Sequence, residues 1–89
     1  MPSNYKQIDA TTLIKPEAGK LKFIFVSSAS SNPTIKVYDS ATSSTSDPVI
    51  IETFTPVSAT TYHFFDGIFA NKGIYVVTAG TIEATVAFE

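Results

Sequence analysis

The segment K-L-K-F-I-F-V-S-S, residues 20–28, decides the fold class of this chain. Aromatic and β-branched residues dominate it, and such residues favour strands. Side chains alternate between the two faces of a strand, which places Leu21, Phe23 and Phe25 on one face. The opposite face begins with two lysines but continues with Ile24 and Val26, so it is also largely apolar. A strand that is apolar on both faces needs cover on both, from its own chain or from another.

Prolines and glycines divide the rest of the chain into similar short runs. These runs are residues 11–15, 34–39, 49–55, 60–65, 68–70, 74–78 and 81–88. No window has a sustained helical periodicity. The pattern therefore predicts an all-β fold: a compact antiparallel β-sandwich or jelly roll of about eight short strands, with no significant helix. Residues 1–89 are expected to form a single domain, in which residues 1–10 could be an N-terminal arm.

Turn-forming residues predict where the chain reverses direction. Residues 27–33 have the composition of a loop, Asp66-Gly67 is a tight-turn dipeptide, and Ala79-Gly80 is typical of a hairpin. Residues 40–47 are almost entirely Ser, Thr and Asp, with Ala41 as the one apolar residue. We expect this stretch to be a mobile surface loop.

A second run, residues 74–77, is apolar on both faces, as residues 20–28 are. The exposed members of such strands would be the ones to contact another protein. The candidate subunit contacts are therefore Ile24, Val26, Tyr75 and Val77. The alternative, which the pattern leaves open, is that the N-terminal arm covers them.

Composition excludes several classes of function. The chain has no cysteine, so it has neither disulfides nor thiolate metal sites. Its net charge is −2, with six lysines and no arginine, so no basic patch predicts nucleic-acid binding. No stretch approaches the roughly 20 apolar residues of a membrane-spanning helix. The first residues also lack the apolar core of a signal peptide, so we expect no membrane association.

Residues that carry chemistry are sparse. His63 is the one histidine, and it lies in an alternating run, which is typical of an outward-facing strand residue or of a hydrogen-bonded, partly buried imidazole. A single histidine makes neither a usual zinc site nor a catalytic triad by itself. Glu52 and Glu83 could meet on an exposed face, but an 89-residue fold offers little room for a cleft between them. We therefore expect a non-enzymatic protein with no catalytic residue, no metal and no cofactor.

The remaining polar and aromatic candidates have structural explanations. Three aspartates are expected to bond to the local backbone at turns: Asp39, Asp47 and Asp66. Three tyrosines could form a stacking platform for a sugar: Tyr38, Tyr62 and Tyr75. Tyrosine is also common in ordinary strands, where its ring packs and its hydroxyl meets water. If the three tyrosines do form such a platform, the chain would be a carbohydrate-binding or adhesion module, and this is the alternative function.

Two parts of the chain carry a resemblance to a known group of proteins. Residues 20–28 are followed by T-I-K-V-Y-D at 34–39, and G-I-Y-V-V-T-A-G at 73–80 is followed by the terminal run 81–89. This order of strands and turns is similar to that of small structural proteins of tailed bacteriophages, some of which decorate or cement the capsid. The resemblance implies a virion component on the capsid surface, made in the host cytoplasm. Its partners would be the major capsid protein or other virion subunits, with a homo-oligomer left open.

Overall fold

The computed structural model of the protein describes residues 4–89, apart from the side chains of Ser31, Phe65 and Asp66. All of its regular structure is β. The strands are β1 (Asn4–Ile8), β2 (Thr12–Lys15), β3 (Gly19–Tyr38), β4 (Val49–Phe54), β5 (Thr60–Ala70) and β6 (Ile74–Phe88). The predicted all-β class without helix is confirmed for this part of the chain.

One antiparallel sheet contains all six described strands. Its centre is the pair β3 and β6, which are bonded along almost their whole length. β5 and β4 pair in succession with the free side of β3, and β1 and β2 pair with the free side of β6. The hydrogen bonding is continuous between these strands. The finer assignment to a sandwich or a jelly roll therefore stays a prediction.

The sheet curls back on itself. A straight strand of 20 residues would run about 66 Å, but the longest dimension of the molecule is 32 Å. Gly19, at the start of β3, pairs with Ala70, while Asp39, just after the end of β3, bonds to the backbone of residues 71–73. The two ends of β3 are therefore neighbours in space, and the strand must bend in the middle.

The bend lies at the largest of the register shifts between β3 and β6, between Ser30 and Thr34. Three residues of β3, between Ser30 and Thr34, lie opposite Gly80 alone on β6. Asn32 has a φ of 49° and Gly80 a φ of 78°, values in the left-handed region that Gly and Asn adopt most readily. A Cβ atom on Gly80 would lie 2.7 Å from Pro33 Cα. The two strands thus meet at van der Waals contact, where only glycine fits.

The bend divides the sheet into two halves that face each other. The first half-sheet contains β5, β1, residues 19–30 of β3 and residues 81–88 of β6. The second contains β4, β2, residues 34–38 of β3 and residues 74–79 of β6. One core joins them: Ile8, Leu21, Ile24, Val26, Ala70, Ile82, Ala84 and Val86 from the first, and Ile14, Ile35, Val37, Ile74 and Val76 from the second.

The predicted strand runs are all found, but three predicted reversals are wrong. Residues 27–33 lie within β3, Asp66-Gly67 within β5 and Ala79-Gly80 within β6. At each place the residues that permit a turn serve a bulge in a continuous strand instead. Gly67, with a φ of 96°, belongs to such a bulge, because residues 64–67 of β5 lie opposite Lys22 alone.

The N-terminal arm is part of the sheet. Residues 4–8 form the edge strand β1, paired with residues 84–88 of β6, and Ile8 enters the core. The first three residues of the predicted arm lie outside the described residues.

Candidate functional site: an outer aromatic face

Two of the four predicted subunit contacts are core residues. Ile24 and Val26 have no exposed surface, so neither can contact a second chain, which corrects that part of the expectation. Tyr75 and Val77 are half-buried and face outward, because they alternate with the fully buried Ile74 and Val76.

A bulge on β3 is the physical reason for the correction. Leu21 lies opposite Phe88 of β6, and Phe23 lies opposite Ala87, so Lys22 is an extra residue on β3. An inserted residue exchanges the faces of the side chains beyond it, here as far as the next register shift, between Val26 and Ser28. Leu21, Ile24 and Val26 therefore all point into the core, whereas the simple alternation predicted that Leu21 would share its face with Phe23 and Phe25.

The displaced phenylalanines form a line on the outside of the first half-sheet. Phe23 lies opposite His63 of β5 on one side and Ala87 of β6 on the other, and Ala87 in turn lies opposite Tyr5 of β1. Directly opposed residues in antiparallel strands share a face. One row across four strands therefore carries His63, Phe23, Ala87 and Tyr5.

Neighbouring rows extend this apolar surface. Phe25, between Thr61 and Thr85, continues it in one direction, and Phe69, opposite Lys20, continues it in the other. Tyr5 is 76% exposed and Phe69 is 58% exposed, while the two β3 phenylalanines are half-buried. We call this surface the outer aromatic face: Tyr5, Phe23, Phe25, His63, Phe69 and Ala87.

His63 contributes a ring to this face. Its imidazole is stacked on the Phe23 ring, with centroids 6.1 Å apart and planes 11° from parallel, and the side chain is exposed. Within residues whose placement is described, no group of three or more His, Asp or Glu side chains is close enough to hold a metal ion. Glu52 and Glu83 lie on different half-sheets, on β4 and β6. Of the two positions expected for His63 from its pattern, the structure has the outward-facing one.

The outside of the second half-sheet has a polar cover over its aromatic pair. Tyr38 and Tyr75 lie opposite each other with centroids 6.1 Å apart, and Lys36 Nζ is 5.1 Å from the centre of the Tyr38 ring. Lys36 Nζ also lies 3.2 Å from a Glu52 carboxylate oxygen. Hydrogen bonds to the Tyr38 and Glu52 side chains raise the pKa of Lys36 above its ordinary value of 10.5.

The three tyrosines do not form one exposed platform. Tyr38 is nearly buried, under Lys36 and beside Tyr75. Tyr62 lies elsewhere: its ring packs edge-on against Phe54 at 5.0 Å, and its hydroxyl accepts a hydrogen bond from the backbone N–H of Val57. Of the three tyrosines considered for a sugar platform from the sequence, only Tyr38 and Tyr75 lie next to each other.

Residues 39–47 are held by a set of polar contacts that the sequence did not reveal. The Asp39 carboxylate accepts hydrogen bonds from the backbone N–H groups of residues 71, 72 and 73, at 2.7–3.3 Å. Asp39 was expected to bond locally, but these partners lie more than 30 residues away. The fully buried Ser40 accepts from the N–H groups of Thr42 and Ser44. The loop thus has a polar anchor in place of an apolar one.

An ion pair closes the same loop. Lys72 Nζ lies 3.0 Å from an Asp47 carboxylate oxygen. The hydrogen bond from Lys72, followed by one from Ser40, holds the pKa of Asp47 below its ordinary value of 3.8. These contacts tie the end of β3 to the β5–β6 turn, which supports the curled shape of the sheet.

The surface of the described residues also has concave regions, a polar one and an apolar one among them. A polar cavity of about 240 Å³ is lined by Gln7, Ile8, Asp9 and Glu83. An apolar groove of about 220 Å³ lies between β4 and β5, and its lining is Ile51, Phe54, Tyr62 and Phe64. The apolar groove continues the core outward, since all four of its residues pack against core side chains.

Comparison with protein-family models, with curated proteins and with solved structures found no match. In the stretch from residue 4 to residue 89, no helix has the length and apolar character to cross a membrane.

Proposed function

We propose that this chain is a non-enzymatic structural component of a tailed-phage virion: a capsid decoration protein that binds shell subunits through its outer aromatic face. The observation that supports the proposal is that face itself. The solvent side of an antiparallel sheet normally carries polar residues. Here the central row carries rings on three of its four strands, with Ala87 between Phe23 and Tyr5. Tyr5 in this row and Phe69 in a neighbouring row are well exposed.

The outer aromatic face is suited to protein contact for physical reasons. Burying a large apolar side chain contributes roughly 1.5–3 kcal/mol, and aromatic residues are enriched where interfaces are most strongly bound. Phe23 and Phe25 are already half-buried on the central strand β3, which is paired on both sides, so little side-chain entropy is lost when they are covered. The face is thus preorganised.

Stabilisation of a shell follows from this kind of docking. A stable contact buries about 800 Å² on each partner. A chain that lies across the junction of two shell subunits adds buried area that must be exposed again before the subunits separate. Its effect is thermodynamic, and no bond is made or broken.

The experiment measures binding to shells assembled without this chain. Tyr5→Ser and Phe69→Ser each remove an exposed aromatic ring from the outer aromatic face, so both should weaken co-sedimentation with shells by about tenfold or more. Val57→Ser is the matched control, because Val57 is 62% exposed and lies in the β4–β5 connection, away from that face. Equal binding by all three variants and the unaltered chain would refute the proposed docking face.

A further inference from the structure

The free edges of the sheet differ in how well they are protected from pairing with another strand. Unpaired edges are templates for association, and prolines, lysines and other charged residues normally protect them. β1 contains Lys6, and β2 contains Lys15. β4 contains Glu52 and is flanked by Pro48 and Pro56.

The β5 edge lacks these protections over its first half. Residues 60–64, T-T-Y-H-F, include no lysine, no glutamate, no aspartate and no proline. In the described part of the chain, β5 pairs with β3 and with no other strand. Thr61 and His63 are exposed and alternate with the half-buried Tyr62 and Phe64. This alternation is that of a strand with one face on the core and the other in solvent.

The apolar groove lies beside the same edge. Tyr62 and Phe64 of β5 form one wall, Ile51 and Phe54 of β4 form the other, and no polar surface lines it. Both walls belong to edge strands, so the groove lies at an open side of the core. A strand added to β5 would cover it.

We infer that residues 60–64 are a self-association edge, through which two copies of this chain pair antiparallel about a two-fold axis. The pairing extends the first half-sheet from four strands to eight and places the two apolar grooves next to each other. A two-fold axis brings the same segment against itself, and like charges directly opposite each other are destabilising. Segment 60–64, which has no Lys, Asp or Glu, meets this condition, whereas Lys6, Lys15 and Glu52 would each oppose it.

This inference goes beyond the proposed function and does not depend on it, because it concerns the isolated chain. If both are correct, the two outer aromatic faces of a dimer are continuous across the axis, since His63 of β5 is the member of that face nearest the pairing edge. Binding through two linked faces is stronger than binding through one.

The first test uses the unaltered chain and two measurements. Sedimentation velocity should show a monomer–dimer equilibrium that moves toward dimer as concentration rises. Amide hydrogen exchange should then show protection of residues 60–64 that increases with concentration, with little change in β1. A monomer at every concentration up to about 1 mM would overturn the inference, because association weaker than that is negligible.

The second test changes the charge of the edge. Thr61→Lys and Thr61→Glu place like charges near each other across the axis, and each should weaken dimerisation by at least tenfold. An equimolar mixture of the two variants should recover dimer, because opposite charges then meet. Gln7→Lys is the matched control, since Gln7 is an exposed, outward residue on the edge strand β1, and it should leave dimerisation unchanged.

Two outcomes would contradict self-pairing through β5. One is a dimer that Gln7→Lys disrupts and Thr61→Lys does not, which would assign the interface to β1. The other is protection of residues 60–64 that appears only when shells are added, which would make a shell strand the occupant of the edge.

Discussion

Replacement of Gly80 by alanine tests the bend on which the whole architecture depends. Gly80 has a φ of 78°, and an L-residue in the left-handed region costs about 1–2 kcal/mol. In addition, the new Cβ would lie 2.7 Å from Pro33 Cα and 3.1 Å from Pro33 N. These are backbone atoms of the opposite strand, so they cannot rotate away, and overpacking of this kind adds about 1–3 kcal/mol. We expect Gly80→Ala to lower the free energy of unfolding by about 2–5 kcal/mol.

Gly67→Ala is the matched control for this prediction. Gly67 also has a positive φ, 96°, but the nearest atom to its added Cβ is Lys22 Cδ at 3.0 Å, in a side chain that can move. The loss of stability in Gly67→Ala should therefore come mainly from backbone strain. The difference between the two variants isolates the contact of Gly80 with Pro33.

Thermal and urea denaturation followed by circular dichroism measure both variants. For a domain of this size, each 1 kcal/mol corresponds to about 4–8 °C in Tm. The Tm of Gly80→Ala should therefore fall by about 8 °C or more, and further than that of Gly67→Ala. A Gly80→Ala variant that is as stable as the unaltered chain would refute the close crossing of β3 and β6 at the bend.

Three further predictions concern the core and the polar contacts. Asp39→Ala should lower the free energy of unfolding, measured in urea, by about 2–3 kcal/mol, since three backbone N–H groups lose their acceptor. Asp39→Asn keeps one acceptor oxygen and should lower the free energy of unfolding by less. Equal losses of stability in the two variants would contradict this explanation. Ile24→Ala should lower it by about 2–5 kcal/mol because the side chain is fully buried, and a loss below about 0.5 kcal/mol would show that Ile24 is not in the core. The pKa of Asp47 is lowered in the folded state, so its contribution to stability is present above its ordinary value of 3.8 and is lost as the pH falls through the lower folded value. Asp47→Asn should therefore reduce the acid dependence of the urea midpoint, and an unchanged dependence would contradict the pairing with Lys72.

The sequence was sufficient to predict which residues form strands, but not which of the predicted strands are continuous with each other. Alternating and β-branched runs predict β structure because a half-buried pleated surface selects such residues locally. The segments that contain Asn32, Gly67 and Gly80 were predicted to be a loop and two turns, because residues that tolerate a positive φ are typical of turns. A bulge needs the same residues. Only the pairing of β3 with β6 and β5 decides between the two, and that pairing is a property of the whole fold.

The candidate site was missed for a similar reason. The bulge at Lys22 exchanges the faces of β3, so Ile24 and Val26, predicted as contacts, are core residues, and Phe23 and Phe25 are on the surface. No signal in residues 20–28 marks the bulge, because Phe, Ile and Val are acceptable on either face. The prediction that this strand is apolar on both faces was nonetheless useful, since it indicated an unusual outer surface.

The partners of Asp39 illustrate a further limit. A turn aspartate next to a Ser/Thr-rich stretch predicts local hydrogen bonds, but Asp39 bonds to residues 71–73 because the curl of the sheet brings that turn to the end of β3. Contacts between residues this far apart in the chain follow from topology, which local composition does not encode.

The most direct test of the central claim is the number of copies of this chain in purified particles encoded by the same genome, measured by quantitative mass spectrometry. A protein that decorates the shell through the outer aromatic face should be present in a fixed, small-integer ratio to the major shell subunit, and Phe69→Ser should lower that ratio. Particles that contain none of the chain, or a ratio that the substitution leaves unaltered, would contradict the account.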